Sequence, residues 1–66
     1  MNRLKEVLKT KGISQTWLAE QMDKSYTTIN EYARNKRQPS LEGLYKLANV
    51  LQIDASELLL KKKENE

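Results

Sequence analysis

Gln15-Thr16-Trp17-Leu18-Ala19-Glu20-Gln21-Met22-Asp23-Lys24-Ser25-Tyr26-Thr27-Thr28-Ile29-Asn30-Glu31-Tyr32 is the stretch on which the fold turns. Leu18 and Met22 lie four apart and share one face of a helix; Ile29 and Tyr32, three apart, share one face of a second. Asp23-Lys24-Ser25 between them is too short for a loop. Asp23 falls where the first of these helices must end, a position that favours a left-handed backbone, which Gly accepts best and Asn or Asp tolerate. Ser25 is placed to cap the second by accepting from a first-turn N–H. Ala19 is small, which leaves room where two helix axes meet. The spacing predicts a helix-turn-helix unit.

Outward from that unit the chain reads as further helices. Asn2 can cap a helix running to about Lys11, with Leu4, Val7 and Leu8 as its apolar stripe. Lys9 and Lys11 fall in its last turn, and Gly12 ends it as a left-handed cap. Ser14 caps the next helix, and Ile13 can staple onto Leu18. The helix that follows Ser25 should stop near Arg34 or Asn35, Asn being tolerant of positive φ. Pro39 blocks continuation and Ser40 caps a fourth helix carrying Leu41, Leu44, Leu47, Ala48 and Leu51. Gly43 costs that helix about 1 kcal/mol relative to Ala, which a close helix approach would justify. Asp54 and Glu57 have capping-box spacing, with Ile53 set to staple onto Leu58, at the start of a short fifth helix. No strand pattern or internal repeat appears. Residues 1–60 are expected to form one domain, and 61–66 a charged tail that frays.

Composition narrows the classes of function. There is no Cys and no His among the 66 residues. That removes disulfides, thiolate metal sites, the commonest general base and the commonest metal ligand. With no Gly-rich phosphate loop or paired carboxylate site either, an enzyme, a metal site, a cofactor and a small-molecule ligand are all unexpected. No apolar run is long enough to span a membrane, so a cytoplasmic protein is expected. Lys and Arg outnumber Asp and Glu by 12 to 9, a net charge of +3. This suits a polyanionic partner but does not require one.

Gln15, Leu18, Ala19, Met22, Ser25, Ile29 and the later Lys36-Arg37-Gln38-Pro39-Ser40 resemble, in order and spacing, the XRE family of phage lambda-repressor and Cro-like regulators. The resemblance runs from about Leu4 to Leu59. It implies an all-α, compact five-helix domain of the lambda-repressor-like type with a central helix-turn-helix. It also implies sequence-specific binding of double-stranded DNA by a small transcriptional repressor, a homodimer on a palindromic operator, with the second helix of the unit in the major groove. This chain departs from the family at several points. An internal Arg–Glu pair frequent in the family maps onto Leu8 and Ala33, both apolar, so no charge is stranded. Asp23 and Asn35 stand where the family has Gly.

With Ile29 pointing inward, a step of about 100° per residue turns Tyr32 and Ala33 inward as well. Thr27, Asn30, Glu31 and Arg34 then face outward, flanked by Tyr26 and Thr28. Donors, acceptors and methyl groups of this kind read base edges. An isolated helix with such a face would be an ordinary solvated surface; the helix-turn-helix context favours recognition. Carried over from the family, base contacts fall on Tyr26, Thr27 and Glu31, with Asn30 as a lesser candidate. Glu31 is open between accepting from cytosine and repelling phosphate. The family uses a Gln at the position of Gln15 against the DNA backbone. Thr28, Arg34, Lys36 and Arg37 are further phosphate candidates, Lys24 in the turn is open between phosphate contact and solvent, and Lys61–Lys63 read as a solvated tail. Trp17 takes a position that is polar and exposed in the family; it is expected to pack over the end of the first helix as extra core, a partner contact being the other reading. Tyr45 has the same two readings. Leu58 to Leu60, with Ile53, could form a dimer surface or close the core. The other class of function is an antitoxin-like or adaptor module that uses this fold on protein.

Overall fold

A computed structural model describes residues 2–59. Four α-helices follow one another: α1 (Leu4–Lys11), α2 (Gln15–Met22), α3 (Tyr26–Ala33) and α4 (Leu41–Leu51). A 3-10 helix, Ala55–Leu58, comes last. The all-α class therefore holds, and the fifth element is a single 3-10 turn in place of an α-helix. Its length is limited from beyond: Leu59 is extended, at φ −92° and ψ 141°, and forms an antiparallel bridge with Asn2. Arg3 N–H donates to Leu58 O at 2.7 Å. The chain cannot both continue a helix and pair there, and 3-10 hydrogen bonding suits a run this short. That bridge is isolated; among the described residues there is no strand.

The helices begin and end by one repeated rule. Ser14, Ser25 and Ser40 are the N-caps of α2, α3 and α4, and their hydroxyls accept from Trp17, Thr28 and Gly43 N–H at 3.0, 3.1 and 3.0 Å. Each α-helix is followed by a left-handed residue: Gly12 (φ 69°), Asp23 (φ 57°), Asn35 (φ 59°) and Gln52 (φ 60°). In each case the next residue's N–H reaches back to a carbonyl of the last turn, from Ile13, Lys24, Lys36 and Ile53 to Leu8, Ala19, Glu31 and Ala48 at 2.9, 2.9, 2.9 and 3.0 Å. This is the Schellman closure, which satisfies carbonyls the helix leaves open.

These ends set the helices around one core of Leu4, Leu8, Leu18, Ala19, Met22, Ile29, Tyr32, Ala33, Leu47, Ala48, Leu51 and Leu58, with Ile13 and Ile53 packed against it. α2 packs on α3 and on α4, α1 on α3, and α4 on the 3-10 helix. Leu8 and Ala33 are both buried, so their paired apolar character fills the interior without a lone charge.

Several expectations change here. Leu58 is fully buried and closes the core, so it is no part of a dimer surface, whereas Leu59 is exposed. Trp17 is 42% exposed beside Gly12, Ile13 and Ser14 and does not extend the core, and Tyr45 is 60% exposed. Gly43 serves no helix approach: an added Cβ would meet Ser40 Oγ at 3.3 Å and Pro39 Cβ at 3.4 Å, the crowding of its own cap. Asn2 does accept from Leu4 N–H at 2.9 Å, but the N-cap position itself is Arg3. The tail expected over 61–66, with Lys61–Lys63, lies outside the described residues, as does Leu60.

Candidate nucleic-acid interface

The face of α3 turned away from the core is set by Ile29, Tyr32 and Ala33, all buried. Thr27 and Arg34 are exposed, Tyr26 is 53% exposed, and Thr28, Asn30 and Glu31 are half-buried. Neither Thr27 nor Arg34 is covered by a neighbouring helix.

Gln15 and Asn30, from different helices, meet at this face: Asn30 Nδ2 donates to Gln15 Oε1 at 3.0 Å. The bond fixes both carboxamides. It leaves the Gln15 Nε2 hydrogens, one lone pair of Gln15 Oε1, the second Asn30 Nδ2 hydrogen and both lone pairs of Asn30 Oδ1 for another partner. Gln15 is the first residue of α2, where backbone N–H groups and the helix dipole favour an anion.

Ser25 ties down Thr28 in two ways, accepting from its N–H and donating from Oγ to its Oγ1 at 3.0 Å. The Thr28 hydroxyl proton then stays free to donate. Glu31 pairs with Arg37 across 3.5 Å, both partly exposed, so Arg37 offsets the one negative charge on this flank. Backbone N–H groups of Lys36 and Arg37 both donate to Glu31 O, at 2.9 and 3.3 Å. Lys36, Arg37 and Arg34 are exposed at the C-terminal end of α3. The site thus has polar groups along a helix face, a helix N-terminus on one side and cations at the far end.

Sequence reasoning missed the support behind that far end. Asn2, 5% exposed, is the buried polar residue among those described. Its Nδ2 donates to Tyr32 O at 3.0 Å and to Gln38 Oε1 at 3.1 Å. Asn35 Oδ1 accepts from Asn2 N–H at 2.7 Å and from Gln38 Nε2 at 3.1 Å, and Asn35 Nδ2 donates to Asn2 O at 3.1 Å. The sequence marks Asn35 only as a left-handed stop, and nothing in the spacing of the three carboxamides announces that they meet.

A small helical domain whose paired helices hold a polar helix face clear of the core is the class these features define. The helix-turn-helix family model matches residues 4–58, and the chain belongs to that family, of the XRE type. Among solved structures it is similar to the crystal structure of a "putative DNA-binding protein" from Bacteroides fragilis, at 48% identity and a TM-score of 0.86 over 88% of this chain and 94% of that one. No curated protein matches the chain.

Proposed function

We propose that this protein binds double-stranded DNA sequence-specifically and regulates transcription, as a repressor, with α3 read into the major groove. The observation that carries this reading is the open face of α3, with Thr27 and Arg34 uncovered and Asn30 fixed by Gln15. Its membership of the helix-turn-helix family and its likeness to the Bacteroides fragilis structure support it further. Tyr26, Thr27, Asn30 and Glu31 contact bases. Thr27 offers a methyl to thymine, Asn30 its free amide groups to adenine, and Glu31 an acceptor to cytosine N4. Gln15, Thr28, Arg34, Lys36 and Arg37 contact phosphates, positioning the helix without reading sequence.

Regulators built this way bind two half-sites roughly 34 Å apart, one helical turn of DNA. A homodimer on a palindromic operator follows. The two most exposed large apolar side chains, Leu41 and Tyr45, lie four apart on α4, 68% and 60% exposed, and offer a contact between copies. Selection of sites from a random duplex pool at physiological salt tests the whole reading. A two-fold symmetric consensus is the expected outcome; recovery of no preferred sequence overturns it.

The exposed Trp17, beside the shallow groove of Gly12, Ile13 and Ser14, favours a second reading, an antitoxin-like or adaptor module, because aromatic side chains are enriched where proteins meet. A protein that co-purifies in fixed stoichiometry and is lost on Trp17→Ala would support it.

A further inference from the structure

We infer that Asn2 is a positioning residue for the Lys36–Arg37 segment: it holds these two cations at the DNA backbone through Asn35 and Gln38. The inference rests on the DNA-binding reading above and extends it to a residue remote in sequence from the interface. Lys36 and Arg37 are flanked by Asn35 and Gln38, and both flanking side chains are hydrogen-bonded to Asn2, at 2.7 and 3.1 Å. They are also bonded to one another at 3.1 Å. The segment is therefore clamped at both ends while its two basic side chains stay exposed.

The anchor itself is rigid. Asn2 accepts from Leu4 N–H at the start of α1 and donates to Tyr32 O in the last turn of α3. It is buried, so water cannot replace these partners without opening the fold. Asn35 is held by the main-chain N–H and C=O of Asn2, and Gln38 by its side chain; an apolar residue would fill the space and keep the former, but would leave Leu4 N–H without its acceptor and Gln38 Oε1 without its buried donor. Fixing the segment beforehand removes the ordering cost that its backbone would bear on bringing the two cations to phosphate.

The test uses the full chain, a random-sequence duplex and the variants Asn2→Asp and Gln38→Ala. Asn2→Asp keeps the acceptor for Leu4 N–H and removes both Nδ2 donors. Gln38 is exposed, so Gln38→Ala keeps the test alive if the Asn2 variant does not fold. Each variant is expected to weaken binding roughly fivefold, the scale of coupling within one hydrogen-bond network. In a Lys36→Ala/Arg37→Ala background the same substitutions should have almost no effect, because they act through those cations. Equal losses in both backgrounds overturn the inference, since they would mean a general effect on the fold or a direct contact with DNA. Amide exchange of Lys36 and Arg37 in the free protein is the second readout and should quicken in both variants. Unchanged exchange in a chain that binds duplex overturns the positioning alone; a chain that binds no duplex overturns the parent reading and this role together.

Discussion

Thr27 and Lys36 are both exposed at the interface, yet their chemistry assigns them different work. Under the proposed reading a methyl and hydroxyl on the open face of α3 discriminate between bases, whereas an ammonium beyond its end meets the same phosphate whatever the sequence. Thr27→Ala should therefore weaken binding to a selected site by about 1 kcal/mol, the low end for a base contact, and leave binding to random duplex almost unchanged. Lys36→Ala should weaken both alike and lower the salt slope by about 1. Titration against the two duplexes over a range of salt separates the cases. If Thr27→Ala and Asn30→Ala both left sequence preference intact, the recognition face would be misassigned. Leu8 carries a prediction about the interior. It is buried, and its counterpart Ala33 offers no carboxylate, so Leu8→Arg buries a charge without a partner. Breaking a buried pair by removing one partner costs about 3–5 kcal/mol, and a small domain has little more than that to lose. Thermal unfolding followed by circular dichroism should show no cooperative transition or one at far lower temperature. Residue by residue, the core and the exposed face of α3 were legible because both follow from helical period. The Asn2 network was not, because Asn2 stands 33 and 36 residues from Asn35 and Gln38, and pairings at that separation have no periodic signature.

Each helix owes its boundaries to short-range chemistry, which is why most boundaries could be read in advance. Ser at the start and a left-handed stop at the end are local choices, visible at Ser14, Ser25 and Ser40 and at Gly12, Asp23 and Asn35. Gln52 escaped notice because Gln has no preference for that backbone, although its φ is 60°. α4 ends there because Ile53 behind it packs on the core, and its N–H closes onto Ala48 O at 3.0 Å. Tertiary packing thus imposes a conformation that the residue itself disfavours. Gln52 is exposed and its side chain is free of hydrogen bonds to the described residues, so Gln52→Gly should relieve this strain. Left-handed backbone costs an ordinary residue about 1–2 kcal/mol. Part of the gain is returned, since Gly loses about 0.5–1 kcal/mol more chain entropy on folding. A rise of a few degrees in midpoint temperature is expected, and a fall would contradict this account of the α4 terminus. The short fifth helix is a single 3-10 turn for a related reason. Its capping box is real, with Asp54 N–H donating to Glu57 at 3.2 Å, but the extended residue that cuts it short is fixed by pairing with Asn2 at the other end of the chain.

At the scale of the molecule the helix closures also divide the surface. After α1 and α4 the residue following the left-handed stop is Ile13 or Ile53, packed against the core; after α2 and α3 it is Lys24 or Lys36, exposed. Two ends of the same form are thus turned inward by an isoleucine and two outward by a lysine, and the outward pair bounds α3. The face that carries Leu41 and Tyr45 lies on α4, so contact between copies there need not cover Thr27 or Arg34 on α3. Both side chains are more than half exposed, so charge can be placed on them without disturbing the core. Leu41→Glu with Tyr45→Glu should leave the unfolding midpoint nearly unchanged, since surface substitutions of this kind usually shift stability by less than about 0.5 kcal/mol. Sedimentation of the unsubstituted chain should show a concentration-dependent dimer, and the double variant should remain monomeric. On DNA the variant should still occupy a single half-site while losing the gain that a second, tethered half-site provides. If the variant instead dimerised as before and bound the full operator normally, the contact between copies would have to be sought away from α4, with Leu59 the next exposed apolar side chain to test.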